Sequence, residues 1–332
     1  NNAYAVKASG TDAVNTINET AKSDKGSVTA TTDNGAAYAI QATQGGTNTL
    51  GGVTSVDAEG TTGAAGIDAS TNSANTVAMN GDLTAKSTGT DDANPVYAVN
   101  ANNSSTNNVT GTKNITATDA YGNAYGINAT KGSTNNVNKD VTETLGDMTV
   151  SSDNGAAYGI TANAFSTTIN KPTTNNVGGL GKVTVTSTKD TAVGINVAGV
   201  DADNLAANNV NLTGDITVKA VTSGDAYGVN ADEYGSNTVE GSKNISATAT
   251  VGDAYAVKAS GTEAVNKINE TITEVTTENE KGSVTAKTDN GAAYAIQATD
   301  SGANTLGGVT SVEATGTTGA AGIYAAADVG LL

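Results

Sequence analysis

The chain has 332 residues, with 33 acidic against 16 basic side chains for a formal charge of −17, 40 glycines, two prolines, one phenylalanine, and no cysteine, histidine, tryptophan or arginine. These absences exclude a guanidinium clamp, an imidazole base, a thiolate nucleophile and a soft-metal site, and the acidic balance argues against nucleic acid, whose phosphates require a basic surface. Val, Ile, Leu and Phe form about a sixth of the residues, which at this charge predicts disorder unless a repeat supplies its own packing.

In chain order, the first element is Ala3-Tyr4-Ala5-Val6-Lys7-Ala8, a short alternating strand. It returns around Tyr38, Tyr97, Tyr125, Tyr158, Tyr227, Tyr255 and Tyr294, with Ala65, Val193 and Ala321 in the tyrosine slot of three degenerate copies; successive anchors lie 27 to 39 residues apart. Twelve or thirteen residues after most anchors comes an aliphatic in Asn-x-Val/Leu/Ile, as at Ile17, Leu50, Val77, Val109, Val137, Val239, Ile268 and Leu306. A third segment usually follows six residues later, at Val56, Leu83, Ile115, Val183, Ile216, Ile245 and Val312. Gly, Asn, Asp and Ser punctuate the segments, and no helical stripe is present. Because Lys7 is replaced elsewhere by Gln41, Asp68, Asn100, Asn128, Thr161, Asn196 and Gln297, this slot is predicted to face water. Strict alternation then turns Tyr4, Val6 and Ala8 inward and Ala5 or Gly126 outward. In the third segment it places Ile115 and Ala117 inside, Thr116 and Thr118 outside.

Three strands per coil predict an all-β right-handed parallel β-helix of about ten coils, each of about 28–35 residues, since the left-handed hexapeptide form uses about eighteen. The whole of 1–332 reads as one continuous solenoid. Residues 26–67 and 282–323 match at 36 of 42 positions and 3–20 match 254–271 at 16 of 18, so 3–67 resembles 254–323 and the super-repeat spans eight coils. The start inside a strand segment and the end at Gly330-Leu331-Leu332, with no polar cap, suggest a cut through a longer array.

The strongest regularity is Asn two positions before the middle aliphatic: Asn15, Asn48, Asn75, Asn107, Asn135, Asn175, Asn208, Asn237, Asn266 and Asn304. Positions i and i−2 share a strand face, so these amides are expected inside, bonded rung to rung as a structural ladder. The tyrosines are likewise expected to be core at a corner rather than a carbohydrate platform. Extra residues in a solenoid are pushed to its corners. They concentrate at 163–174, with Phe165, Lys171 and Pro172, and at 198–207, with Asp201 and Asp203. The two loops are expected to adjoin and form one contact site. Two carboxylates fall short of a hard-cation site, and no catalytic residue, cofactor or metal is assigned.

Cysteine-free, acidic, Thr/Asn/Gly/Ala-rich β-coils with tandem super-repeats resemble the passenger or stalk regions of bacterial surface adhesins, notably autotransporter and filamentous-haemagglutinin-type proteins. The resemblance implies export, display outside the cell, and a non-enzymatic role as spacer, self-associating fibre or adhesive surface. Its partners would be copies of itself, end to end or side by side, and a host surface or glycan. Insertion of this segment into a membrane is not expected, as no stretch of eighteen apolar residues is present. Two alternatives are a polysaccharide-active β-helix enzyme fragment and an ice-binding solenoid. Against the first, acids recur in turns such as Asp33, Asp153 and Asp289, whereas an active site should be unique. Against the second, Lys86, Lys219, Lys287 and Asp57 interrupt the outward threonines.

Overall fold

The computed structural model describes residues 1–18, 26–90, 94–165, 169–271 and 282–326. The terminus at Gly330-Leu331-Leu332 lies outside them, as do residues 166–168 of the first long loop. The chain is an all-β solenoid of parallel sheets, in agreement with the coil period read from the sequence. The tyrosine segments form an 11-stranded sheet in which each strand pairs with the same segment of the coils before and after it. The asparagine and third segments together form a 16-stranded sheet. They share a sheet because in four coils both are one strand: Thr47–Gly60, Ala74–Ser87, Thr106–Asp119 and Thr173–Ser187. Three of these strands turn their corner at a glycine with φ near +70°, Gly52, Gly111 or Gly179, a conformation costly for residues with a Cβ.

The register is in phase from end to end. Tyr4 pairs with Tyr38, Tyr97 with Tyr125 and Tyr125 with Tyr158, and Asn15 with Asn48 through to Asn266 with Asn304. At about 4.8 Å per strand the tyrosine sheet is roughly 50 Å long. The core is a thin column in which Ile40, Ile67, Val99, Ile127, Ile160 and Ile195 of the tyrosine sheet meet Leu83, Ile115, Met148, Val183 and Ile216 of the third segment, all at most 1% exposed. Ile115 and Ala117 are buried, as the alternation predicts.

The tyrosine segment departs from prediction. Val6, Ala8 and their equivalents do face in, but so does the small residue between tyrosine and the aliphatic. Ala39, Ile40, Ala98 and Val99 all belong to the core, and a Cβ built on Gly126 would meet Met148 Sδ at 2.8 Å and Val150 Cγ2 at 3.0 Å. Two consecutive residues therefore point inward, and alternation breaks between them. The tyrosine before them is consequently on the outer side, in the same direction as the variable polar slot, and that slot does not face water as predicted: Gln41, Asp68, Asn100, Asn128 and Thr161 are 5–9% exposed, covered by their neighbours in the stack. Lys7 Nζ sits 3.8 Å from the Tyr4 ring centroid and Lys258 Nζ 4.9 Å from that of Tyr255. The tyrosines thus form a largely covered stack on the outer side of their sheet, outside the central core.

Candidate functional site

The interior ladder is complete. Each Asn Nδ2 donates to the Oδ1 of the next rung, from Asn15 to Asn48 and so on through Asn135 to Asn175 and Asn266 to Asn304, at 2.8–2.9 Å. The same Nδ2 donates its second hydrogen to the backbone oxygen of the polar slot in its own coil, as Asn135 does to Asn128 O at 2.7 Å and Asn208 to Asn196 O at 2.7 Å. One side chain therefore ties coil to coil and, within a coil, sheet to sheet. From Asn48 to Asn266 these residues are fully buried, and the pairing relieves them of the cost of an unsatisfied amide.

Sequence reasoning missed a second ladder outside the first. Asn136 donates to Asn108, Asn176 to Asn136 and Asn209 to Asn176 at 2.8–2.9 Å. The signal was the doubled Asn-Asn of these coils. On the third face, Thr84, Thr116, Thr149, Thr184, Thr217, Ser246 and Thr285 pair in sequence as an outward hydroxyl column. Lys86, Lys219 and Lys287 stand two residues further along in three of these rungs, so charges flank the column.

The tyrosine face carries the densest chemistry. Its rings stack with centroids 4.9–5.4 Å apart in the runs Tyr4–Tyr38, Tyr97–Tyr125–Tyr158 and Tyr227–Tyr255–Tyr294. Burial within the stack pushes the Tyr125 hydroxyl up to about 12, with the Tyr158 phenol adding to the effect. Tyr227 and Tyr255 donate to Asp225 and Asp253 at 2.9 and 3.0 Å. Beside the rings, three residues along each strand, the polar slots form their own chain. Gln41 Nε2 donates to Asp68 Oδ2 at 3.0 Å, Asn100 Nδ2 to Asp68 Oδ1 at 2.8 Å and Asn128 to Asn100 at 2.8 Å. Asp68 is buried, and loss of water raises its carboxyl above the usual range against the lowering effect of these amides.

The two long loops adjoin, as expected. Asn170 N–H donates to Asn204 Oδ1 at 3.1 Å, and Thr173 N–H to Leu205 O at 3.0 Å. Phe165 stands 64% exposed, and Lys171 and Pro172 are exposed as well. Asp201 is committed to the turn itself. Its Oδ1 accepts from Asp203 N, Asn204 N and Asn204 Nδ2 at 2.8–3.0 Å, and the Asn204 amide above all holds this carboxyl below its usual value.

No family model matches the chain, and no curated protein or solved structure matches it significantly.

Proposed function

We propose that the chain is a non-enzymatic structural and adhesive solenoid, a stalk or fibre segment displayed outside a bacterial cell, whose partners are its own copies and a host surface. The supporting observation is the unbroken ladder of nine side-chain hydrogen bonds from Asn15 to Asn304. Bending the rod stretches that ladder and the backbone bonds on both sheets together, so stiffness is built into every rung.

Electron microscopy of the purified segment at low and physiological salt tests this reading, because salt screens the repulsion of −17 charges. The expected result is straight rods that join end to end as salt rises. Short separate rods at every salt concentration would remove self-association, and flexible particles would overturn the stalk reading. Antibody labelling of intact producing cells tests display, with labelling only after lysis as the contrary result.

A further inference from the structure

The external tyrosine stack has a vacancy with chemistry around it. Ala65 takes the tyrosine place between Tyr38 and Tyr97, in register with both. Intact neighbours stack about 5 Å apart, and two rungs span about 10 Å, so with its walls opened the vacant rung takes one six-membered ring at stacking distance from each side. A cavity of about 340 Å³ lies here, lined by Tyr38, Tyr97, Gln41, Asp68, Asn94 and Asn100 among others, within the size range of small-ligand sites. Ala65 is only 2% exposed. Side chains therefore already lean over the floor, and entry of a ring requires Tyr38 and Tyr97 to swing apart.

The polar side of the cavity selects the ligand. Each Asp68 oxygen accepts one amide hydrogen, leaving about half of the carboxylate's roughly four acceptor sites for a donor from the ligand. Asn94, Asn100, Asn102 and Ser70 add amides and a hydroxyl along the rim. A phenol offers one hydroxyl to this rim, whereas a sugar ring offers several and presents a C–H face to the negative face of an aromatic ring. The acidic chain and Asp68 repel an acidic sugar.

The repeat supplies a second observation. In the matching coil Ala321 again replaces tyrosine, but Tyr324 stands where Asp68 does, and its ring packs edge-on against Tyr294 at 5.4 Å. There the chain lays a ring of its own against the last tyrosine of the stack. At the other interruption, Val193 fills the rung with a branched side chain, and the polar slots there hold Thr161, Asn196 and Asn230 with no acid among them; the carboxylate of Asp232 accepts from Asn230 Nδ2 at 2.8 Å.

We propose that the notch at Ala65 binds a single neutral pyranose residue of a glycan, sandwiched between Tyr38 and Tyr97 with its hydroxyl edge on Asp68. This deepens the adhesive half of the reading above, yet fails separately from it, since loss of sugar binding leaves rod length and stiffness unchanged.

The test is saturation-transfer NMR on the whole chain with methyl glucoside, galactoside and mannoside, methyl N-acetylglucosaminide, methyl glucuronide, and N-acetyltyrosinamide. Transfer to at least one neutral pyranoside is expected, with glucuronide and the tyrosine amide weaker. A65Y completes the stack and A65V copies the side chain already tolerated at residue 193. Both should abolish transfer, while V193Y retains it. The proposal is overturned by silence from every neutral sugar, by unchanged transfer with A65V, or by a tyrosine amide that binds where sugars do not.

Discussion

Asn135 shows how much one side chain carries. Its two N–H groups reach Asn175 Oδ1 and Asn128 O, and its own oxygen accepts from Asn107. Asn135→Leu strands the Asn107 donor and two acceptors in a dry interior, with an expected loss on the order of 3 kcal/mol. Thermal melting followed by circular dichroism should show a lower midpoint, and an unchanged one would mean the ladder contributes no net stability. Asp119 is the opposite case. It lies in register with Ser87 and Ser152, is buried, and has an Oδ2 without a partner. Burial raises its carboxyl despite N–H donors from Tyr121 and Gly122. The unfolded carboxyl ionises first, near about 4, so stability present below that pH is lost as pH rises through the higher folded value. Asp119→Ser should remove this decline, so its melting advantage over the natural chain grows from about pH 4 upward. An advantage independent of pH would show that Asp119 does not titrate in this way.

At the scale of the element, the coil was legible because its residues recur. Asparagine at ten coils and aliphatics at fixed distances from it specify three strands and their register, and the interior ladder follows from parity with the middle aliphatic. The facing of the tyrosine was not legible. Alternation holds on either side of Ala39-Ile40 but breaks between them, and no residue type marks the break, because glycine and alanine suit an inner corner as well as an outer one. Burial of Gly126 against Met148 and Val150 is a fact of packing between sheets, which spacing within one strand does not encode. The vacancy at Ala65 was visible as a degenerate copy, but its meaning depended on that facing. The external stack has its own pH signature. Unfolded tyrosine ionises near about pH 10, whereas Tyr125 holds its proton to about 12. Native stability present below pH 10 should therefore be lost across that window as pH rises. Tyr125→Phe should shallow the alkaline decline, measured as melting temperature against pH. An identical slope would place the titration elsewhere.

For the whole molecule, the paired loops are a place where the described surface departs from a regular rod, as does the loop at 138–145. Asn163 still pairs with Ala198 in the tyrosine sheet, Thr173 is fully buried, and its Oγ1 accepts from Gly132 N–H at 2.8 Å, so deleting all of 163–174 would cut into the rungs. Replacing 164–172 by the Lys-Gly of the turn at 131–132, with Thr173 standing in the place of Ser133, spares them. That variant should melt like the natural chain and attach less to a host-cell layer. Equal attachment would leave Phe165 and Lys171 without a role, and a lower melting temperature would make the protrusion part of the scaffold.

The ladder also has a direction. Every amide donates toward the C-terminal rung and accepts from the N-terminal one, so nine bond dipoles point the same way and polarise one another along the axis. The outer row of Asn108, Asn136, Asn176 and Asn209 donates the opposite way, each amide reaching back to the N-terminal rung. Over these coils the two rows run side by side with opposed dipoles, so their axial fields offset one another.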